Sequence, residues 1–148
     1  WRVWLYGYRV LFVPWARGVH YFGTRFKPKE KYYSLKRVHF NGPKNYLSML
    51  IKCLETRNLI FILPVHFFIW FFAGTGLILT GKIKSGLYVF KGLYYVLKNI
   101  EHITRKRNYI QEHRIKTDSE LKSSIFRDIG FKYYAQRFCR YIITGLHG

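Results

Sequence analysis

The chain has 148 residues, about the length of one domain, and it combines 49% hydrophobic and 20% aromatic residues with a formal net charge of +19. Such a charge argues against a freely soluble domain without an anionic partner, because the domain would repel itself. Nucleic acid and the anionic face of a membrane are the two partners that would neutralise it. Cys53 and Cys139 lack the spacing of a metal site, and we interpret them as reduced thiols.

Residues 1–26 have the pattern of the end of a folded domain. Trp1 to Tyr6 predicts the last turn of a helix, and Gly7 predicts the turn that leaves it. The apolar run Val10 to Val13, closed by Pro14, predicts a short buried strand. Because this ordered pattern starts at Trp1, we expect the chain to be a piece of a longer protein.

Residues 27–57 form a connector rich in basic and aromatic residues. Its last part, Tyr46 to Leu54, has apolar residues at helical spacing, namely Leu47, Leu50, Ile51 and Leu54. This spacing predicts an amphipathic helix that approaches a membrane surface.

Residues 58–80 contain the most apolar segment, Leu59 to Leu79, which has no Asp, Glu, Lys or Arg in 21 residues. A helix of about 20 apolar residues crosses the hydrocarbon core of a bilayer, whereas a soluble core helix of this length is rarely apolar on all sides. Pro64 and Gly74-Thr75-Gly76 permit a break. Both flanks are basic, so a single crossing stays open, but we favour a re-entrant or hairpin geometry. His66 is interpreted as a neutral side chain with a local hydrogen bond.

Residues 83–116 predict an amphipathic helix followed by a basic stretch. Basic residues recur every seven positions on one face, with apolar residues such as Val89 and Leu93 opposite. This pattern is typical of a helix in the membrane interface, with lysines at lipid headgroups; the alternative is an ordinary helix packed on a protein core. The predicted contacts with anionic lipid are Lys84, Lys91, Lys98, Arg105, Lys106 and Arg107.

Residues 117–148 predict a basic, helical C-terminal tail. Thr117 and Glu120 have the spacing of a capping box, which starts a short helix ending near Phe126. Residues 127–148 are basic and aromatic and predict another helix lying on a surface.

The order of several motifs resembles the C-terminal part of family 2 glycosyltransferases, and most closely their membrane-attached, rhamnosyltransferase-like members. The resemblance covers residues 1 to about 126. Its motifs are Trp1-Arg2, Gly7-Tyr8, Val13-Pro14 and Val19-His20, followed by Tyr32-Tyr33 with Arg37, Lys44-Asn45, the apolar segment, Lys91-Gly92 and the basic stretch.

This resemblance implies a mainly α chain. A short β and loop remnant of a GT-A-type α/β catalytic domain would be followed by membrane-embedded and amphipathic interfacial helices. It also implies the membrane-anchoring part of an enzyme at the cytoplasmic face of the cell membrane. The enzyme would move a sugar from a nucleotide-sugar donor to a lipid-linked or polysaccharide acceptor. The Asp-x-Asp motif and acidic base of such enzymes are not in this sequence, so we expect no catalysis from the chain alone.

The resemblance also implies roles for five residues of the first part of the chain. His20 would bind the divalent metal, Mn or Mg, or the diphosphate of the donor in the intact enzyme; a histidine hydrogen-bonded at a strand end is the simpler interpretation. Contacts with diphosphate or acceptor are implied for Arg25, Lys27, Tyr33 and Arg37. No cofactor is expected on this chain by itself.

Two other functions stay open. A basic nucleic-acid-binding protein associated with ribosomes would suit the charge and the interleaved aromatic residues. The uncharged segment Leu59 to Leu79 opposes this interpretation, because it has no cation to meet a phosphate. The other alternative is a small structural membrane protein without an enzymatic role.

Overall fold

The computed structural model describes residues 1–18, 35–125 and 130–144. These residues are mainly helical and contain no strand, so the predicted mainly α class is confirmed. The helices are α1 (Arg2–Leu5), α2 (Leu35–Cys53), α3 (Thr56–Leu79), α4 (Ile83–Lys98), α5 (Ile100–Glu112), α6 (Asp118–Ile125) and α7 (Phe131–Thr144).

Helices α2, α3 and α4 form an up-down-up bundle in which each helix packs on the other two. The antiparallel pairing of α2 with α3 brings Tyr46 to His66, whose Nδ1 lies 3.2 Å from the tyrosine hydroxyl. The chain then reverses at Gly81, whose φ of 81° suits a glycine. The Gly81 N–H donates to Ile78 O and the Lys82 N–H to Leu77 O, which is the Schellman end of a helix.

The main core lies between α2, α4 and α5. The four apolar residues predicted to face one side of the Tyr46 to Leu54 helix are all buried there, against Leu93, Val96 and Ile103. That prediction is confirmed, but α2 begins much earlier, at Leu35, and continues through Pro43. Pro43 lacks an N–H and interrupts one backbone bond. Its ring is fully buried, so packing against α4 offsets this loss.

One end of the bundle is fastened by polar side chains of α5 and of the turn that follows it. An α-helix leaves its last four carbonyls without partners inside the helix. Arg107 donates to Ile51 O and Leu54 O, Gln111 donates to Lys52 O, and Arg114 donates to Cys53 O. Two side chains of α5 and one from the turn that follows it therefore cap the C-terminus of α2.

Helix α7 lies at the other end of the bundle. Its Tyr141 hydroxyl shares a hydrogen bond of 2.7 Å with Nδ1 of the buried His39 of α2, and burial raises the pKa of this tyrosine. The Lys82 ammonium donates to the carbonyls of Ile142 and Ile143 near the end of α7. These contacts confirm a helix in the C-terminal tail and fix it to the turn between α3 and α4.

Three predicted local features differ from the structure. Residues Val10 to Val13 form no strand and are exposed, so the prediction of a buried strand is wrong; the described residues offer no neighbouring strand with which they could pair. The favoured re-entrant geometry needs a break at Pro64 or at Gly74-Thr75-Gly76, and neither break is present, since α3 is one continuous helix from Thr56 to Leu79. The amphipathic helix predicted in the first part of residues 83–116 is divided at Asn99, whose side-chain amide donates to the Tyr95 carbonyl.

The glycines of α3 permit close packing where the sequence suggested a break. A Cβ added at Gly74 would lie 3.1 Å from the Phe90 ring of α4, and one at Gly76 would lie 2.9 Å from Ile142 Cδ1 of α7. Both positions are therefore contact points between helices.

Candidate membrane-binding surface

An uninterrupted apolar face runs along α3. At about 100° per residue, Phe61, Phe68, Phe72 and Leu79 fall within roughly 40° of one line. Their side chains are 71%, 55%, 59% and 80% exposed. Val65 is exposed beside them, and the one hydroxyl on this side, that of Thr75, donates to the Phe71 carbonyl. From residue 60 to residue 79, about half of the circumference of α3 thus offers solvent an apolar surface.

This exposure separates α3 from an ordinary core helix. Only 17% of its most apolar 18-residue window is buried within the protein, and by length and composition the helix is long enough to cross a membrane. Its 24 residues correspond to a length of about 36 Å at the helical rise per residue. Exposed apolar patches larger than a few hundred Å² are rare on soluble monomers and mark interaction surfaces.

The circumference of helix α4 is divided into three sectors, one buried, one cationic and one apolar but exposed, whereas the sequence predicted two. Val89, Leu93 and Val96 are buried against α2 and α3, as the alternative of a helix packed on a protein core requires. Lys84, Lys91 and Lys98 are exposed on the outer side, as predicted. Between these two sectors lies a set of exposed apolar side chains, which are Ile83, Leu87, Tyr94 and Leu97.

The exposed apolar sector of α4 continues the face of α3. The Phe71 ring of α3 and the Phe90 ring of α4 meet edge to face, with their centroids 5.5 Å apart. The apolar surface therefore crosses the seam between the helices and ends at the lysines of α4. The sequence holds a signal for this sector, since Ile83, Leu87, Tyr94 and Leu97 recur at spacings of three, four and seven residues, which is helical periodicity; a division of α4 into only two faces does not include it.

The predicted cluster of cations after α4 is divided between the surface and the protein interior. Arg105 is exposed and lies 4.0 Å from Glu101, and Lys106 is exposed. Arg107 departs from the expected contact with lipid, because its guanidinium caps α2 and donates to the Thr56 hydroxyl at 2.9 Å. Burial, followed by the nearby Arg114, lowers the pKa of Arg107.

Two further side chains, those of His66 and Lys44, have aromatic partners in the structure. His66 shares its hydrogen bond with the Tyr46 hydroxyl, which agrees with the local bond expected for it. The ammonium of Lys44 lies 5.0 Å from the centroid of the Phe40 ring and 5.3 Å from that of Tyr95. Cation–π attraction thus holds this lysine on the side of the bundle near α4.

The resemblance implies contacts with donor or acceptor for five residues, and the structure describes the side chain of none of them. His20, Arg25, Lys27 and Tyr33 lie outside the described residues, and Arg37 is described only as part of the backbone of α2. Within the described ranges, no three His, Cys, Asp or Glu side chains come close enough to hold a metal. No protein-family model, curated protein or solved structure matches the chain.

Proposed function

We propose that this chain is a membrane-anchoring helical unit that binds a lipid bilayer through the exposed face of α3. The observation that carries the proposal is the continuous apolar surface from residue 60 to residue 79. Moving apolar surface out of water stabilises binding by roughly 25 cal/mol per Å², so each half-exposed phenylalanine contributes on the order of 1 kcal/mol. The net charge of +19 adds attraction to anionic lipid.

The motif order supports a more specific role, which is to anchor the catalytic domain of a family 2 glycosyltransferase at the cytoplasmic face of the membrane. There the domain would reach a lipid-linked acceptor. The chain has no Asp-x-Asp motif, and the metal cluster is missing from its described residues. On this proposal, the acidic residues of the donor site belong to another part of the enzyme, and His20 of this chain would add a contact with the metal or the diphosphate.

The first experiment measures binding to vesicles. The purified chain is floated with vesicles of phosphatidylcholine and phosphatidylglycerol, and it is compared with the variants Phe68→Glu and Phe72→Glu. We expect the wild type to float in high salt, and each variant to be strongly depleted from the floating fraction. Phe12→Glu is the matched control, because Phe12 is 88% exposed and lies outside the face of α3.

Membrane anchoring is contradicted if the wild type stays with the soluble fraction, or if the α3 variants float as well as Phe12→Glu. Release of the wild type from vesicles by high salt alone, together with tight binding to RNA, would favour the nucleic-acid alternative. That alternative has less support, because the α3 face presents no cation to a phosphate.

A second experiment addresses the glycosyltransferase. In a polypeptide that joins this chain to its donor-binding domain, sugar transfer is measured while Mn²⁺ is titrated, with and without His20→Ala. We expect the variant to need more Mn²⁺ or to turn over more slowly. Wild-type metal dependence and turnover would contradict the role of His20. An upstream coding sequence without an Asp-x-Asp motif would contradict the enzyme itself.

A further inference from the structure

We propose that the bundle lies flat in one leaflet, with α3 submerged parallel to the membrane plane and the lysines of α4 at the phosphates of anionic phospholipids. This inference rests on the proposed function and adds to it an orientation and the residues that contact the anionic headgroups. It follows from where the charged residues stand along the bundle and around it.

The first step is the level of each residue along the bundle axis. A Cβ added at Gly92 of α4 would lie 2.6 Å from Phe40 O and 3.5 Å from the Lys44 backbone nitrogen of α2. A Cβ at Gly42 of α2 would lie 3.0 Å from the Trp70 ring of α3. Lys44, Lys91 and Trp70 therefore lie at nearly the same level, close to the middle of α3.

The second step is the consequence for a bundle that crosses the bilayer. If α3 stood along the membrane normal, Lys44 and Lys91 would sit near the centre of the hydrocarbon, where a charged side chain is expensive. Snorkelling relieves this cost only near the ends of a helix. Both ammonium groups rest over rings within one helical turn, that of Lys44 lying 5.0 Å from the Phe40 centroid and that of Lys91 lying 5.5 Å from the Tyr88 centroid, so neither reaches an end of the bundle.

The third step is the direction of the lysine line. Lys84, Lys91 and Lys98 are exposed and recur every seven residues, so their line runs along α4 for about 21 Å. Helix α4 is antiparallel to α3, because Gly86 meets Ile78 while Val89 and Phe90 meet Gly74. One headgroup layer can hold all three ammonium groups only if it is parallel to α3.

The fourth step is the order of surfaces around α4. From the side that packs on α3, the circumference passes through the exposed apolar sector, which includes Leu87 and Leu97, before it reaches the lysines. With α3 in the acyl region, this order places apolar side chains at intermediate depth and cations at the phosphates. An interfacial helix has this arrangement. The sign of the charge selects anionic headgroups.

Depth measurements test the orientation. Spin labels are placed by cysteine substitution at Phe61, Phe68 and Leu79, which share one line on α3. The exposed Cys139 is replaced by serine, and Cys53 is buried. In vesicles of phosphatidylcholine and phosphatidylglycerol, we expect the three labels to report the same depth. A label at Phe68 that lies much deeper than those at Phe61 and Leu79 would overturn the flat orientation while leaving membrane binding intact. Labels that remain in water would instead overturn the proposed function.

Vesicle affinity tests the choice of lipid. Lys91→Gln should bind vesicles containing phosphatidylglycerol about fivefold more weakly, the effect of one cation near an anionic surface. The variant should bind vesicles of phosphatidylcholine alone as the wild type does. Lys122→Gln, which removes an exposed charge on α6, should change neither affinity. Equal losses for Lys91→Gln and Lys122→Gln, or no loss for Lys91→Gln, would overturn the assignment of anionic headgroups to the α4 lysines.

Discussion

Glu55 and Asp118 cap each other's helices. The Asp118 carboxylate accepts the Glu55 backbone N–H at 2.9 Å, at the start of α3, and the Glu55 carboxylate accepts the Asp118 N–H at 3.1 Å, at the start of α6. The same Asp118 oxygen accepts a bond of 2.7 Å from the Asn58 amide, and its other oxygen pairs with Arg114. One buried carboxylate therefore ties the beginning of the apolar helix to α6 and to the turn between α5 and α6.

Asp118→Ala should destabilise the fold strongly. The change removes a helix cap and leaves the buried Arg114 guanidinium without its anion, and breaking a buried pair in this way typically costs about 3–5 kcal/mol. We expect the free energy of unfolding, measured by urea titration in detergent micelles, to fall by about that amount. Asp118→Asn keeps an acceptor oxygen and should cost less. Glu112→Ala is the control, because Glu112 is exposed on α5; an equal cost there would argue against the capping role.

The same carboxylate should make the fold sensitive to acid. Burial alone raises the pKa of Asp118, but the hydrogen bonds from Arg114, Asn58 and the Glu55 N–H outweigh burial and hold the pKa below its usual value. A carboxyl with a lowered pKa stabilises the fold at pH values above its pKa in the unfolded chain. This stability is lost as the pH falls through the lower pKa of the folded state. We therefore expect the free energy of unfolding to fall as the pH drops below about 4, and to fall less steeply in Asp118→Asn. Parallel acid titrations of the two proteins would contradict this.

Glu120 adds a second acid-sensitive group at the start of α6. It accepts the backbone N–H and hydroxyl of Thr117, while its own N–H donates to that hydroxyl, so the predicted capping box is confirmed. The Thr117 N–H, followed by Lys116, lowers the pKa of Glu120 from 4.5 to about 2. NMR titration of this carboxyl should find its midpoint well below the usual value of a glutamate. Thr117→Ala, which removes the hydroxyl but keeps the backbone N–H, should raise the midpoint only in part.

Substitution of Arg107 should lower the stability of the fold, whereas substitution of the neighbouring Lys106 should weaken binding to vesicles. Arg107 caps the end of α2, whereas Lys106 is exposed. We expect Arg107→Gln to lower the free energy of unfolding by about 1–3 kcal/mol, because hydrogen bonds from a charged donor to buried carbonyls are lost. Lys106→Gln should leave stability unchanged and weaken binding to anionic vesicles. Thermal unfolding and vesicle flotation of both variants check this, and a loss of stability in Lys106→Gln would contradict the assignment.

This pair also shows what the sequence could and could not predict. The core face of α2, the capping box and the exposed lysines of α4 follow from spacing within one helix, and each is present. The Arg107 side chain points into the protein because it donates to carbonyls more than fifty residues earlier in the chain. No local sequence pattern indicates such a contact. The exposure of Leu97 likewise depends on how α2 and α3 divide the surface of α4 between them.

The sequence does not indicate the start of α2 at Leu35, for a similar reason. Gly42 and Pro43 are typical of a helix boundary in isolation, but α2 continues through them because α4 approaches closely at that point. A Cβ added at Gly92 would lie 2.6 Å from Phe40 O and 2.7 Å from Pro43 Cγ. A tertiary contact has here overridden local propensity.

Gly92→Ala tests this contact. In an isolated helix, alanine would be favoured over glycine by about 1 kcal/mol. Here the added methyl group meets a backbone carbonyl that cannot rotate away, so α2 and α4 must separate, and overpacking of this kind costs about 1–3 kcal/mol. We expect a net fall in thermal stability, measured by circular dichroism. Gly18→Ala is the control, because a Cβ there meets nothing within 4 Å.

The double variant Gly92→Ala with Pro43→Ala should recover only part of the loss, since the Phe40 carbonyl remains in place. A Gly92→Ala protein more stable than the wild type would mean that the helices are not in such close contact, and the alignment of Lys44 with Lys91 would lose its basis.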